Sequence, residues 1–563
     1  MRGGNKITAS QRKEEIVPEE HRPDLPVERF LLGEAPSDEA VPLDVLIVGA
    51  GPAGLACAIE LARLSRKEAA ADDAAASLEI GVLEKAAEIG EHCLSGAVVN
   101  PEPFLELFPE RSVEELPFRG PVPRDRVYLL TKRGRVRLPT PPSMRNHGNQ
   151  VASICEVARW MGERAEALGV NLFTGFPADA LLVPGGKVAG VRTTPAGLQR
   201  DGSPGSGYLP PTDLTARVVV LAEGTRGSLT QAWLASERVA SPNPQIYALG
   251  VKELWRVRRP PTAVIHTLGW PLPRDAFGGS WMYPMGKDLV SLGLVVGLDY
   301  PEQSLDVHEL LQRLKEHPLF AACLEGGELE EWGAKTIPEG GYHALPERLH
   351  GEGLLVVGDA AGLVDVASLK GIHHAVRSGM LAARAAFEAL QADDPSAARL
   401  SRYDGWLRGG PVGRELYRTR NMRLAFRSGF WKGGVRAALM QLTRGAFPGR
   451  RIAGEADAMV PRRVRSSPPF APDGKRSFGK LEAVYRSGNA TRDDIPSHLI
   501  AKEEVAAEMA EFYAHMCPAG VYERGPAGLV VNAPNCVDCK ATDVLGPRWT
   551  PREGGSGPAY KRM

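Results

Sequence analysis

Three of the seven cysteines in this 563-residue chain lie near its end, Cys517 in "CPAGVYE" and Cys536 and Cys539 in "NCVDCKATD". Thiolates at Cys-x-x-Cys spacing are soft anionic donors suited to iron or zinc. A bacterial-type iron–sulfur run continues as Cys-x-x-Cys-x-x-Cys, but Thr542 stands where the next thiol belongs. A threonine hydroxyl is a hard, high-pKa donor and a poor replacement, while the adjacent Asp543, or Asp538 inside the loop, could offer a carboxylate. Four readings stay open: a cluster with water or hydroxide on its fourth iron, a cluster lacking that iron, a shell that binds no metal, or zinc held by three cysteines and an aspartate. Cys57, Cys93, Cys155 and Cys323 are scattered and read as small buried apolar residues.

A second chemical constellation is "LDVLIVGAGPAGLACAIELARLS". Val45–Val48 reads as a strand buried on both faces, followed by Gly49, Ala50, Gly51, Pro52, Ala53 and Gly54 and then by apolar residues at helical spacing. In that context the glycines allow a tight turn, close approach of backbone N–H groups to a pyrophosphate, and helix–strand packing, with the helix N-terminus facing the anion. "LEIGVLEKA" is a second strand ending at Glu84 and Lys85, both expected to contact the cofactor, with Glu84 placed to accept from ribose hydroxyls. Glu84 comes 30 residues after Gly54 rather than the usual ~20, and "EAAADDAAAS" (68–77) reads as the surface insertion responsible. The acid disfavours a 2′-phosphate, hence NADP.

Two later segments decide which dinucleotide binds. "GLLVVGDAAG" is a buried strand ending in Gly358 and Asp359, and a long alanine-rich helix starts near Gly371. Asp359 suits the ribityl hydroxyls of FAD, and the helix start suits the flavin edge where reduction deposits negative charge. "ARVVVLAEGTRG" adds a strand ending in Glu223 and Gly224, so FAD rather than NAD is expected on a domain assembled from separated pieces. His373 and His374 could act as acid or base beside a flavin; packing or hydrogen bonding at the helix start is the preferred reading.

Lys plus Arg and Asp plus Glu both total 68, so net charge points to no partner, and no nucleic acid is expected. The length calls for two or three domains. No apolar run is long enough to cross a bilayer. The N-terminal stretch lacks the apolar core of a signal peptide and the acid-poor character of a transit peptide. The cysteines are too few and too scattered for a secreted disulfide framework. A cytosolic-side protein is expected.

These motifs resemble the electron transfer flavoprotein–ubiquinone oxidoreductase family over nearly the whole chain. The likeness is carried by "VGAGPAGL", "LEKAAEIGEHCLSGAVVNP", "FGGSWMYP", "VSLGLVVGLDY", "KGIHHAVRSGMLAA", "CPAGVYE", "NCVDCK" and "GGSGPAY". The resemblance implies an electron-transferring-flavoprotein dehydrogenase, which takes electrons from reduced electron transfer flavoprotein and passes two to ubiquinone. It implies an α/β and α+β architecture. That comprises a Rossmann-like FAD domain of the glutathione-reductase type (41–235 and 346–465), an inserted quinone-binding β-sheet domain (236–345) and a ferredoxin-like 4Fe-4S domain (466–563), after a polar extension (1–40). The quinone-contacting glycines fall on Gly278 and Gly279, for which a turn between strands is the plainer alternative. The cluster ligands fall on Cys517, Cys536 and Cys539, with Thr542 in the fourth place. A FAD-dependent reductase of the geranylgeranyl type or a monooxygenase shares the flavin motifs, but the closing cysteine segments count against both. A cluster-deficient docking protein for electron transfer flavoprotein is a further alternative.

Ubiquinone requires a route to lipid. Residues 416–454 hold nine Lys or Arg and no acid, interleaved with Phe426, Trp431, Val435, Leu439, Leu442 and Phe447, and residues 126–150 hold six Lys or Arg and no acid. The first reads as a basic amphipathic helix in the headgroup plane, and the resemblance places both at the family's membrane surface. Family members are more continuously apolar there, so binding is expected to lean on lipid charge. The expectation is a monomeric, monotopic protein in one leaflet, on the cytoplasmic face of a bacterial inner membrane.

Overall fold

The computed structural model describes residues 15–71, 77–463, 470–526 and 528–563. The first part of the N-terminal extension, residues 72–76 of the insertion and residues 464–469 of the linker before the last domain lie outside the described residues.

Aliphatic runs bounded by glycine build a nine-stranded sheet. Its main path runs Asn171–Thr174, Ile80–Glu84, Val41–Val48, Asp213–Leu221, Gly190–Thr193, Ala178–Leu182 and Leu31–Leu32. The first four are parallel, and Leu354–Val356 pairs in parallel with the C-terminal half of Asp213–Leu221. Carboxyl ends of these parallel strands therefore converge on one edge, where α/β sheets bind ligands. Helices Pro52–Ala71 and Ile372–Gln391 pack against each other. Gly379 makes this possible, because a Cβ there would lie 2.1 Å from the Ala53 carbonyl oxygen.

A second, seven-stranded sheet runs in the order Glu328–Pro338, Tyr247–Arg256, Leu289–Gly297, Gly278–Pro284, Val264–Gly269, Asp125–Leu130 and Arg135–Leu138. Its last two strands come from the segment assigned by sequence to the first part of the FAD-binding domain. Asp125–Leu130 pairs in parallel with Val264–Gly269 and not with the flavin sheet, because its buried Tyr128 and Leu130 alternate onto the second core.

The last domain has short elements: Lys480–Arg486, Ala507–Met516, Tyr522–Gly525, Gly528–Val531 and Ala541–Leu545. Its interior is aromatic, with Phe478, Phe512, Tyr513 and Tyr522 buried in one cluster that also holds Trp255, Trp332 and Tyr300 of the second sheet's domain. The last domain therefore shares one core with the second sheet's domain.

Asp457 and Arg462 fasten the segment that leads into that domain. Arg462 donates to the carbonyls of Leu298 and Asp457 at 2.8 and 2.9 Å, and also to that of Tyr300. Asp457 accepts from Tyr247 N–H at 2.7 Å. Burial, with the Asp299 carboxylate nearby, pushes the Asp457 carboxyl up to about 8. Below the ordinary value of 3.8 both folded and unfolded chains carry this proton; above it only the unfolded chain releases it, so Asp457 lowers stability progressively from about pH 4 to pH 8. Asp457→Asn, which keeps the acceptor for Tyr247, is expected to flatten that decline and raise stability at pH 8 by on the order of 2 kcal/mol, read from thermal melts across pH.

Candidate functional site

The strand Val41–Val48 delivers the chain to Gly49, and the helix Pro52–Ala71 leaves the turn. Gly49 has φ +108°, and a Cβ on it would lie 2.5 Å from the Ala222 carbonyl oxygen; one on Gly54 would lie 2.0 Å from the Gly49 oxygen. Gly51 differs: a Cβ there meets nothing within 4 Å, because its face opens onto a cavity. The first and third glycines are required by protein packing, and the second keeps space for a ligand. Glu84 accepts from the N–H groups of Ala50 at 3.0 Å and Ala86 at 2.9 Å, which holds its carboxylate at the rim of the turn.

Asp359 reaches the same cavity from the end of Leu354–Val356, and Gly371 enters it as the residue preceding helix Ile372–Gln391. Crowding by surrounding protein pushes the Asp359 carboxyl up to about 6, offset in part by Lys335. Glu223 and Gly224 also line the cavity, but the Glu223 carboxylate is turned away to cap helix Ser228–Ser236, accepting from Leu229 N–H at 3.2 Å and Thr230 N–H at 2.7 Å. Lys85, read from sequence as a cofactor contact, pairs with Asp538 of the cysteine loop and lies over the Trp549 ring. His373 stands at the cavity and its Nε2 lies 3.4 Å from Glu415, a hydrogen-bonding position at the helix start.

The cavity measures about 1890 Å³ and continues from the glycine turn to the second sheet. Gly278 and Gly279 line it. They begin strand Gly278–Pro284 rather than forming a turn, and a Cβ on either would meet a carbonyl oxygen, of Val295 at 2.1 Å or of Thr267 at 2.9 Å. Sequence reading missed His266 and Tyr283 on the same wall, hydrogen-bonded at 2.5 Å, and Lys370. Burial lowers His266 to about 4, so its ring is neutral, and lowers Lys370 to about 8. Alternation along paired strands could have marked His266, since its neighbours are apolar; only pairing shows that Tyr283 meets it.

The cysteine loop forms another part of the wall. Lys540, directly after Cys539, lays its ammonium on the Trp549 ring, and both line the cavity. Thr336 N–H donates to Cys539 O at 2.9 Å, and Lys335 Nζ to Asp538 O at 3.2 Å, so the second sheet holds the loop in register. Cys517, Cys536 and Cys539 are buried thiols that influence one another's ionisation. Among the described residues their three sulfurs do not form a group lying within 4.8 Å of one another. Tetrahedral zinc, with bonds of about 2.3 Å, would draw them closer than that, so the spread fits a polynuclear centre.

Neither candidate carboxylate is free to serve as a ligand. Asp543 accepts from Arg226 Nε at 2.7 Å, Gln231 Nε2 at 3.1 Å and Trp549 N–H at 3.3 Å. Asp538 accepts from Lys85, from Arg552 at 2.9 Å and from Trp549 Nε1 at 3.0 Å. Burial favours the protonated form of each, but Arg552 and Lys85 hold Asp538 well below the carboxylate range, and Arg226 and Lys540 lower Asp543. The site also contains buried polar nitrogens with no partner: the two ring nitrogens of His498, one of which carries a proton to donate, and Nε and Nη1 of Arg552. A cluster bearing anionic sulfides would give such donors an acceptor, so the pocket fits an iron–sulfur centre.

The basic segment is not one helix. It divides into Pro411–Thr419, Met422–Ala425 and Phe430–Leu442, followed by turns and irregular chain. Arg423 is buried, pairing with Glu339 at 2.8 Å and Asp299 at 2.7 Å over the Phe277 ring, and Arg420 is buried as well. On Phe430–Leu442, Gly434, Ala437, Ala438 and Gln441 line the cavity, Trp431 and Leu442 stand at its mouth, and Trp431, Val435 and Leu442 are 74%, 64% and 80% exposed. Gln441 donates to Ser143 at 2.6 Å, joining this helix to the other acid-poor segment. No helix among the described residues is long and apolar enough to cross a membrane.

Comparison with known proteins agrees with this arrangement. Residues 247–337 match the family model "ETF-QO, ubiquinone-binding", and residues 474–561 match "Electron transfer flavoprotein-ubiquinone oxidoreductase, 4Fe-4S". The chain is similar to the mitochondrial electron transfer flavoprotein-ubiquinone oxidoreductases of Arabidopsis thaliana, at 39% identity over 93% of this chain and 85% of that relative. It is similar to that of Homo sapiens at 36% identity, over 92% and 89% of the two chains. Among solved structures, a geranylgeranyl bacteriochlorophyll reductase-like protein from Thermoplasma acidophilum aligns with TM-score 0.54 and 20% identity, over 72% of this chain and 92% of the other. At that identity the likeness concerns the fold alone.

Proposed function

The chain belongs to the electron transfer flavoprotein–ubiquinone oxidoreductase family, and we propose that it carries out that reaction from one leaflet of a membrane, through the single cavity that joins its flavin, cysteine and glycine-pair walls. The enzyme takes electrons from reduced electron transfer flavoprotein and reduces ubiquinone, with FAD and an iron–sulfur centre as carriers. The observation that carries the assignment of residues is the continuity of this cavity, from Gly51 and Asp359 past Lys540 and Trp549 to Gly278, Gly279 and Leu442.

Bound FAD would supply the exchange between single electrons and the pair that a quinone needs. In this reading the Gly51 turn and the start of helix Pro52–Ala71 hold its pyrophosphate, Glu84 its ribose and Asp359 its ribityl chain. Helix Ile372–Gln391 sets its positive end toward the flavin edge. Gly278 and Gly279, which the neighbouring strands require to be without side chains, present bare backbone to a flat head group. His266 and Tyr283, hydrogen-bonded to each other and both uncharged, leave one donor for a quinone oxygen without a buried charge. Cys517, Cys536 and Cys539 hold the cluster, and Lys540 with Trp549 separates it from the flavin cavity.

The exposed face of Phe430–Leu442, flanked by Lys432, Arg436, Arg444 and Arg450, is the proposed lipid contact, with Leu369 and Val136 exposed as well. The enzyme is proposed to be a monomer on the cytoplasmic face of a bacterial inner membrane. Burial of Trp431 and Leu442 in lipid contributes about 1.5–3 kcal/mol each. Trp431→Ser with Leu442→Ser is therefore expected to lower co-sedimentation with anionic vesicles by about a hundredfold in partition, and high salt to release part of the wild type. The decisive assay is ubiquinone reduction by reduced electron transfer flavoprotein in such vesicles. Protein with full flavin that shows no quinone turnover would overturn the reading, and vesicle binding unchanged in the double variant would overturn the lipid face.

A further inference from the structure

The family's fourth cluster position is occupied here by a residue already committed elsewhere. Thr542 Oγ1 donates to the Pro547 carbonyl at 3.0 Å, and Tyr522 Oη lies 2.6 Å from the same oxygen, so Tyr522 is left as its donor. With one bond given and one accepted, this hydroxyl is satisfied without ionising, and it has no charge to offer iron. Tyr522 is buried in the same core cluster as Cys517, Cys536 and Cys539.

The remaining donors are spoken for or lie at another corner. Asp543 is spent on Arg226 and Gln231, and Asp538 on Lys85, Arg552 and Trp549. His498 is buried with both ring nitrogens unpartnered, but its nitrogen shares a space under 4.8 Å wide with Cys536 Sγ and an Asp538 oxygen. It therefore crowds the corner that Cys536 already holds. This position suits a donor to cluster sulfide better than a ligand to a separate iron.

We propose that the cluster is held by Cys517, Cys536 and Cys539 alone, and that its fourth iron, beside Thr542 and Tyr522, takes a small exchangeable ligand from solution: water or hydroxide at rest, cyanide or a small thiol when offered. The proposal rests on the reading of this domain as an iron–sulfur carrier. Both hydroxyl protons are committed, so Thr542 and Tyr522 can only accept from a water or hydroxide on that iron. On oxidation by ferricyanide the 4Fe-4S core gives up one electron, which ferricyanide takes, and one iron as the ferrous ion, leaving a 3Fe-4S core on three thiolates.

The test uses the full chain reconstituted anaerobically with 57Fe and sulfide. Mössbauer spectra are expected to show one iron distinct from the other three, and a shift of that site alone when cyanide is added. Ferricyanide is expected to remove about one iron in four and give the paramagnetic oxidised 3Fe-4S signal, and added ferrous ion to refill that one site. Thr542→Cys is expected to abolish both the cyanide shift and the iron loss, with a thermal melt showing that the variant is folded. Four equivalent irons that resist ferricyanide in the wild type would overturn the open corner while leaving the cluster reading intact. A strongly coupled nitrogen in electron–nuclear double resonance of the reduced protein would assign His498 as the ligand, with the same consequence. Folded protein that takes up neither iron nor sulfide would overturn the cluster reading itself.

Discussion

Gly51→Val is expected to give a folded protein that no longer holds FAD. The three glycines of the turn meet different surroundings. Valine at Gly54 would drive its Cβ to 2.0 Å from the Gly49 oxygen, and at Gly49 to 2.5 Å from that of Ala222, so both substitutions force backbone apart. At Gly51 a Cβ meets no protein atom within 4 Å, and the volume it would fill belongs to the cavity. The added methyl groups therefore cost the polypeptide little and cost the pyrophosphate its approach to the N–H groups. A loss of at least about a hundredfold in FAD affinity, roughly 2.7 kcal/mol, is expected. Flavin absorbance should leave the protein peak on gel filtration, while far-UV circular dichroism and the melting of flavin-stripped protein stay as in the wild type. Retention of flavin at wild-type affinity would show that the cofactor does not cross the turn at Gly51.

Arg226→Met is expected to loosen the cysteine domain from the flavin domain. Arg226 lies in the turn after strand Asp213–Leu221. Its Nε and Nη2 both reach Asp543, one to the carboxylate and one to the backbone oxygen, each at 2.7 Å. Removing Arg226 leaves a buried carboxylate that Lys540 and Arg548 compensate only in part, a cost of about 3 kcal/mol. Lysine would not substitute well, because a single ammonium cannot reproduce the two-pronged contact.

The pH dependence carries a sign that separates this from simple loss of packing. Burial alone would raise the Asp543 carboxyl, but Arg226, Lys540 and Arg548 together bring it below 3.8. The pair thus stabilises the native state above the ordinary carboxylate pKa, and that stability is lost as pH falls through the lowered value. In Arg226→Met the deficit should shrink on mild acidification, as Asp543 takes up a proton. Adding Asp543→Leu should recover part of the loss at neutral pH. Thermal melts across pH, with limited proteolysis to follow release of the last domain, distinguish the outcomes. A deficit that does not change with pH would rule out the buried carboxylate as its source.

The flavin half of the site was legible because its determinants are local. Glycine spacing, a strand before and a helix after specify a turn whatever the rest of the chain does, and Asp359 and Gly371 belong to a second such unit. Gly278 and Gly279 were legible only through resemblance, since a glycine pair without its partner strands is equally a turn; pairing with Val295 and Val296 gives them their place in a sheet. The segment 126–150, read with the first part of the FAD-binding domain, supplies two strands to the second sheet for a related reason. Alternation shows that a strand has a buried face but not which sheet that face covers, and the decision came from the apolar partners offered by Val264–Gly269.

Charge was the least legible property. A count of nine cations without an acid between 416 and 454 suggested one basic surface. Yet Arg423 finds Glu339 and Asp299 from distant parts of the chain and leaves the surface, while the apolar stripe Trp431, Val435, Leu439 and Leu442 remains on it. In the same way Lys85, Glu223, Asp538 and Asp543 are polar residues beside the right motifs whose side chains are spent on other partners. Motif and periodicity are short-range properties of a chain, and from them the amino acids dictated the flavin turn, the three thiols and the missing fourth. Which carboxylate meets which cation, and so which groups are left free for a cofactor, depends on contacts hundreds of residues apart, and only packing of the domains makes them.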